Sequence, residues 1–150
     1  MKNKDETRQI DCIYLDYDDK DFDTVIDSPI TESNLSRILS TASRMHIDVN
    51  AVGIRRSSNN RLHVMVSLTE PISFVWSMIF RIRLNDCIGR VTSDLNRYIE
   101  SGGDISQVNR LFRFKYVNGE KKAAGDWILI YRNSNTKLSD YNSENKIIEA

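Results

Sequence analysis

Apolar residues recur along this chain in two rhythms, one of every second residue and one of every third or fourth, and the switches between them outline its elements. In "IDCIYLDY" (10–17) a β-branched and aromatic run ends in acids, which predicts a strand. In "TESNLSRILSTASRMHI" (31–47), Leu35, Ile38, Leu39, Ala42 and Met45 keep helical spacing behind Ser and Asn candidates for the cap. Segments 48–58 and 61–68 read as two strands flanking "NN", an antiparallel hairpin. From 72 to 86, "ISFVWSMIFRIRLND" holds too many apolar positions for a surface element, and its length predicts a largely buried helix with Pro71 in its first turn.

The second half is less regular. "GRVTSDL" (89–95) reads as a short strand, "NRYIESGGD" as a helical turn closed by Gly102 and Gly103, and "LFRFKYV" (111–117) as a strand. "NGEKKAAG" predicts a turn, and "DWILIYRN" (126–133) a strand that closes the sheet. Residues 1–9 are expected to be a flexible terminus, 10–133 one domain, and 134–150 a mobile tail. The order β, α, β, β, α and further strands predicts an α+β fold. Its pattern is the ferredoxin-like or RRM-like βαββαβ, with a mainly antiparallel sheet and additional C-terminal strands. In that fold the first and third strands are neighbours at the sheet's centre, and one sheet face is open.

Composition narrows the function classes. The 150 residues are 40% hydrophobic and 28% charged, ordinary for one globular domain. With 21 basic and 21 acidic residues the formal net charge is zero, so no global basic field drives indiscriminate nucleic-acid binding. Charge is local instead: acids crowd 11–27, while "RRSSNNR" (55–61) and "RLFRFK" (110–115) are basic. Cys12 and Cys87 lack a ligand-type spacing and read as core thiols of a reducing compartment. No apolar run reaches the ~18 residues of a membrane span, and "MKNKDETRQ" has no signal-peptide core. The expected location is the cytoplasm, that of the host if the protein is viral.

The candidate chemistry begins with Asp16 and Asp18, which strand alternation puts on one face. Such a pair repels itself unless a cation, a proton or basic side chains compensate, although "DYDDKDFD" also reads as a solvated acidic loop. His63 lies in phase with Arg61 and Met65, away from Leu62, Val64 and Val66, so it reads as a residue of a half-wet face. Arg55 or Arg56, with Ser57, Ser58 and His63, offers donors suited to a phosphate chain. A metal-assisted phosphoryl-transfer site needs carboxylates for divalent ions and cations for a triphosphate. Asp16 and Asp18 supply two acids, Asp94 is the candidate third, and Asp86, which looks like a helix terminator, is the runner-up.

These residues resemble the catalytic core of the archaeo-eukaryotic primase and primase-polymerase superfamily. Its first motif, an apolar strand ending in D-x-D, is similar to "IYLDYD"; its small-residue-and-histidine motif to "RRSSNNRLHVMV"; its third, a small residue followed by an acid, to "SD" at 93–94. The segments "HVMVSLTEPIS", "RLND", "GRVTSDLNR" and "RLFRFK" are also similar to small replication-type proteins of archaeal viruses and plasmids. The resemblance implies metal-dependent nucleotidyl transfer in viral or plasmid DNA replication. Asp16, Asp18 and Asp94 would hold magnesium or manganese, while His63, Arg56 and Ser57 would bind a nucleoside triphosphate. Arg110, Arg113 and Lys115 would guide single-stranded or primed nucleic acid, and the sequence leaves open whether a partner subunit supplies the extra subdomain that primases carry.

Two other enzyme classes are excluded by their missing motifs. His46 and His63 are not the closely spaced pair of a rolling-circle nuclease, and no G-x-S-x-G turn carries a hydrolase serine. The alternative is a noncatalytic RRM-like module that binds nucleic acid or protein. Phe112, Phe114 and Tyr116 alternate with Arg113 and Lys115, so aromatics and cations fall on opposite faces, the aromatics toward the core.

Overall fold

Strand alternation and helical spacing are realised in ten elements of a computed structural model, which describes residues 10–17, 29–56, 61–106, 108–109, 114–117, 119–133 and 147–149. They are β1 (Ile10–Tyr17), α1 (Pro29–Arg44), β2 (Val49–Arg56), β3 (Leu62–Ile72), α2 (Phe74–Arg83), α3 (Ile88–Glu100), β4 (Phe114–Val117), β5 (Glu120–Ala123), β6 (Trp127–Arg132) and β7 (Ile147–Glu149). The fold is α+β and compatible with a ferredoxin-like arrangement. The main sheet runs β1-β3-β2-β6-β7, antiparallel except for the β6–β7 pair, and β4 and β5 form a separate antiparallel hairpin.

Register decides which side chains meet. Leu15 stands opposite Val64 and Val64 opposite Ile54, and this face carries the core. Ile13, Leu15, Val52, Val66 and their neighbours pack against Ile38 and Ala42 of α1 with Met45 just after it, and against Phe80 of α2 and Leu84 at its C-cap. One residue out of phase, Asp16, His63 and Arg55 form a row across three strands on the other face. Helix α1 ends as its apolar spacing requires: His46 takes a left-handed φ of 58°, and the Ile47 amide reaches back to the Ala42 carbonyl at 2.9 Å.

Several expectations are corrected. Residues 89–95 are helix, not strand. Val91, Asp94 and Tyr98 line the inward side of α3 at three- and four-residue spacing, a period longer than the seven-residue window shows. Pro71 lies at the end of β3 rather than inside α2; the helix starts after Ser73, whose hydroxyl accepts from the Trp76 amide at 3.1 Å. Part of the expected turn "NGEKKAAG" is β5, and within the expected tail Ile147–Glu149 form β7. The first strand is adjacent to the third, as expected, but it lies at the edge of the described sheet and not at its centre.

The edge of β1 is closed by side chains. Its outward backbone groups are those of Cys12, Tyr14 and Asp16, because the intervening residues bond to β3. Asn109 accepts from the Tyr14 amide at 3.0 Å and donates to the Cys12 carbonyl at 2.7 Å. Arg90 donates to the Tyr14 carbonyl at 2.7 Å, and Asp86 accepts from the Asp16 amide at 2.8 Å. Three side chains do there what a further strand does elsewhere.

Candidate functional site

The row led by Asp16 is the site that the acids predict. Asp16 is compensated by Arg61, whose Nε stands 3.0 Å from Oδ1, and His63 Nε2 is 3.9 Å from the same oxygen. His63 Nδ1 accepts from Arg55 Nε at 3.1 Å, so the ring proton belongs on Nε2, facing Asp16. Burial, and then the charges of Arg55, Arg90 and Arg61, push the imidazole down to about 3. His63 is therefore neutral at neutral pH.

This face is not open. His63 is 5% exposed, and Ala51, Met65 and Arg55 beside it are buried as well, which corrects the half-wet surface expected for the histidine. Part of the cover is Trp127 of β6. Its ring lies 4.4 Å from the Arg55 guanidinium, a cation–π contact, and 6.1 Å from the ring of Tyr14. Gly53 lies on the same face, where a Cβ would crowd the Met65 methyl at 3.3 Å and meet the indole at an ordinary 3.7 Å. Burial also pushes the Cys12 thiol up to about 12 and the Tyr14 hydroxyl higher, so neither ionises at neutral pH.

The third acid stands elsewhere. Asp94 is 2% exposed and lies inside a charge network between α2 and α3. Its Oδ2 accepts from Arg81 Nη1 at 2.8 Å and from the Asn109 amide at 2.9 Å, and Arg97 approaches Oδ1 at 3.5 Å. Asp86 anchors the other end, with Oδ2 2.7 Å from both Arg81 Nε and Arg90 Nη1 and Oδ1 accepting from the Cys87 amide. Asn85 aims it: its left-handed φ of 58° turns the chain so that the Asp86 amide bonds back to the Arg81 carbonyl. Two buried acids are thus neutralised by arginines at close range, as burial of charge demands.

Of the acids expected to hold magnesium or manganese, Asp16 and Asp94 are paired with arginines here. The Asp94 carboxylate is committed to Arg81 and the Asn109 amide, and Asp16 is neutralised by Arg61. Among the described residues no three His, Cys, Asp or Glu side chains come together around a common point. Register places Arg55, not Arg56, beside His63; Arg56 stands opposite Leu62. Asp18, Ser57, Arg110 and Arg113 lie outside the described residues. Lys115 pairs with Lys122 in the β4–β5 hairpin, its side chain outside the description.

A different surface stands out. Among the described residues, every exposed large hydrophobic side chain belongs to α2 or α3: Val75, Trp76, Ile79 and Ile82 on the first, Ile88, Leu95 and Ile99 on the second. Val75, Ile88 and Ile99 are 60%, 72% and 65% exposed. The two helices pack through a small core of Phe74, Met78 and Val91, with the Phe74 and Tyr98 rings stacked 4.0 Å apart. Phe80 of α2 and Leu84 at its C-cap face the sheet, as do Arg90 and Asp94 of α3 through β1 and Asn109. Helical rotation then puts Val75, Ile79 and Ile82 beside Ile88, Thr92, Leu95 and Ile99, along the seam on the side away from the sheet.

The sequence holds a signal for this surface. The apolar residues of "FVWSMIFRI" leave only the side of Ser77 and Arg81 polar, and a helix apolar over so much of its circumference is covered by its own chain or by something else. The expectation of a largely buried helix took the first option. Its sheet-facing and α3-facing sides are buried, while its third side is exposed. No family model, no curated protein and no solved structure matches the chain. Among the described residues no helix is long and apolar enough to cross a membrane.

Proposed function

We propose that this protein is a noncatalytic binding module that docks a protein partner on the outer face of α2 and α3. The observation that carries this reading is the concentration of the exposed large hydrophobic residues on one helical pair. An apolar patch at the upper end of what a monomer exposes is often functional, and it is stabilised when a partner removes it from water. The spacing of its residues, four then three along both helices, suits packing against another helix.

Nucleotidyl transfer from Asp16, Asp18 and Asp94 would require Asp94 to leave Arg81 and the Asn109 amide, with Asp86 left to offset both Arg81 and Arg90 in a buried site. The arginine pairing of the acids therefore supports the noncatalytic reading. A photo-crosslinking benzophenone side chain at exposed Thr92, in cells that make the protein, tests docking directly. A discrete protein adduct from Thr92, and none from the polar flank at Asn96, is the expected result. No adduct from Thr92 would overturn the proposal.

A further inference from the structure

We infer that the partner on the α2–α3 face is a second copy of this chain, joined through a two-fold interface between helical pairs. The inference rests on the docking reading above and names its occupant. The first support is area. The six exposed apolar residues of the stripe present roughly 600 Å², so two copies together remove roughly 1,200 Å² from water, the lower end of the range for specific interfaces.

The second support is charge. Within the stripe formed by Val75, Ile79, Ile82, Ile88, Leu95 and Ile99, the polar group is the Thr92 hydroxyl, and the charged residues Arg83, Arg97 and Glu100 lie on the helices' other flanks. A face without charge sets no like charges against each other when it meets its own copy across a two-fold axis, so self-association meets no electrostatic penalty there. With 21 basic and 21 acidic residues, two copies approach without net repulsion. Stacking one helical pair on another gives a four-helix layer, a packing that apolar rows of this spacing adopt readily.

Sedimentation equilibrium of the purified full chain tests this. The expected result at about 50 µM is a mass twice the 17.4 kDa of the chain, with dimerisation at least about tenfold weaker in Ile82→Glu and in Ile88→Glu and unchanged in Asn96→Asp. Both glutamates replace exposed residues, and a circular dichroism spectrum like that of the unsubstituted protein keeps loss of folding apart from loss of contact. A monomer at that concentration overturns the inference, as does a dimer indifferent to both glutamates. If the monomer still forms a discrete Thr92 adduct with another protein in cells, the docking reading stands and only its occupant is wrong; without that adduct both fall.

Discussion

Arg81 and Asp94 hold α2 against α3 through a 2.8 Å ion pair from which water is excluded. Breaking one side of such a pair leaves a buried charge uncompensated, so Asp94→Asn is expected to lower unfolding free energy by about 3 kcal/mol. Urea denaturation measures this. A catalytic acid held for chemistry behaves oppositely, since its neutral amide commonly leaves stability unchanged or raises it. An unchanged urea midpoint would return Asp94 to the candidate catalytic residues.

Asn109 closes the edge of β1 through the Tyr14 amide and the Cys12 carbonyl. Asn109→Ala removes both bonds and is expected to cost about 1–3 kcal/mol, the range for stranded buried polar groups. Hydrogen exchange gives the specific readout. The Tyr14 amide should exchange faster in the variant by more than the Leu15 amide, which bonds to β3. Equal acceleration at both positions would mean that the strand has loosened as a whole and that Asn109 is not its edge cap.

His63 makes stability depend on pH. In the unfolded chain its imidazole takes a proton near pH 6.5, whereas in the folded protein it does so only at about 3. Between those values the unfolded state binds the extra proton, so stability falls as pH falls, by about 1.4 kcal/mol per pH unit for a fully shifted group. Comparing urea midpoints at pH 7 and pH 5 should show a drop in the unsubstituted protein. His63→Gln, which keeps an acceptor for Arg55, should flatten it. An equal slope in both would assign the dependence to other groups.

The parts of this fold that were readable in sequence are those in which a single period runs without interruption. Leu35, Ile38, Leu39, Ala42 and Met45 announce α1, and the alternation of Leu62, Val64 and Val66 tells which side of β3 meets the helices. Alternation does not tell whether the second side is covered. His63 was expected on a half-wet face, and Trp127, far along the chain, lies over the arginine beside it. Asp94 was read from seven residues with a β-branched pair, too few to reveal the helical period in which it faces Arg81. The wide apolar face of α2 is plain in sequence. Which side would be left to solvent depends on how α2 and α3 pack, and that follows from the Phe74–Tyr98 stack and the charge network.

Asp86 and Asp94 are paired with arginines inside the fold, and docking is proposed for the outer face of α2 and α3. The yield of the Thr92 adduct in an Ile82→Glu protein separates that face from the rest of the molecule. Ile82 is exposed, so its replacement should leave the urea midpoint within about 0.5 kcal/mol of the unsubstituted value. The account predicts that capture from Thr92 nonetheless falls to the background seen from Asn96. Capture at the unsubstituted yield, from a folded Ile82→Glu protein, would contradict it.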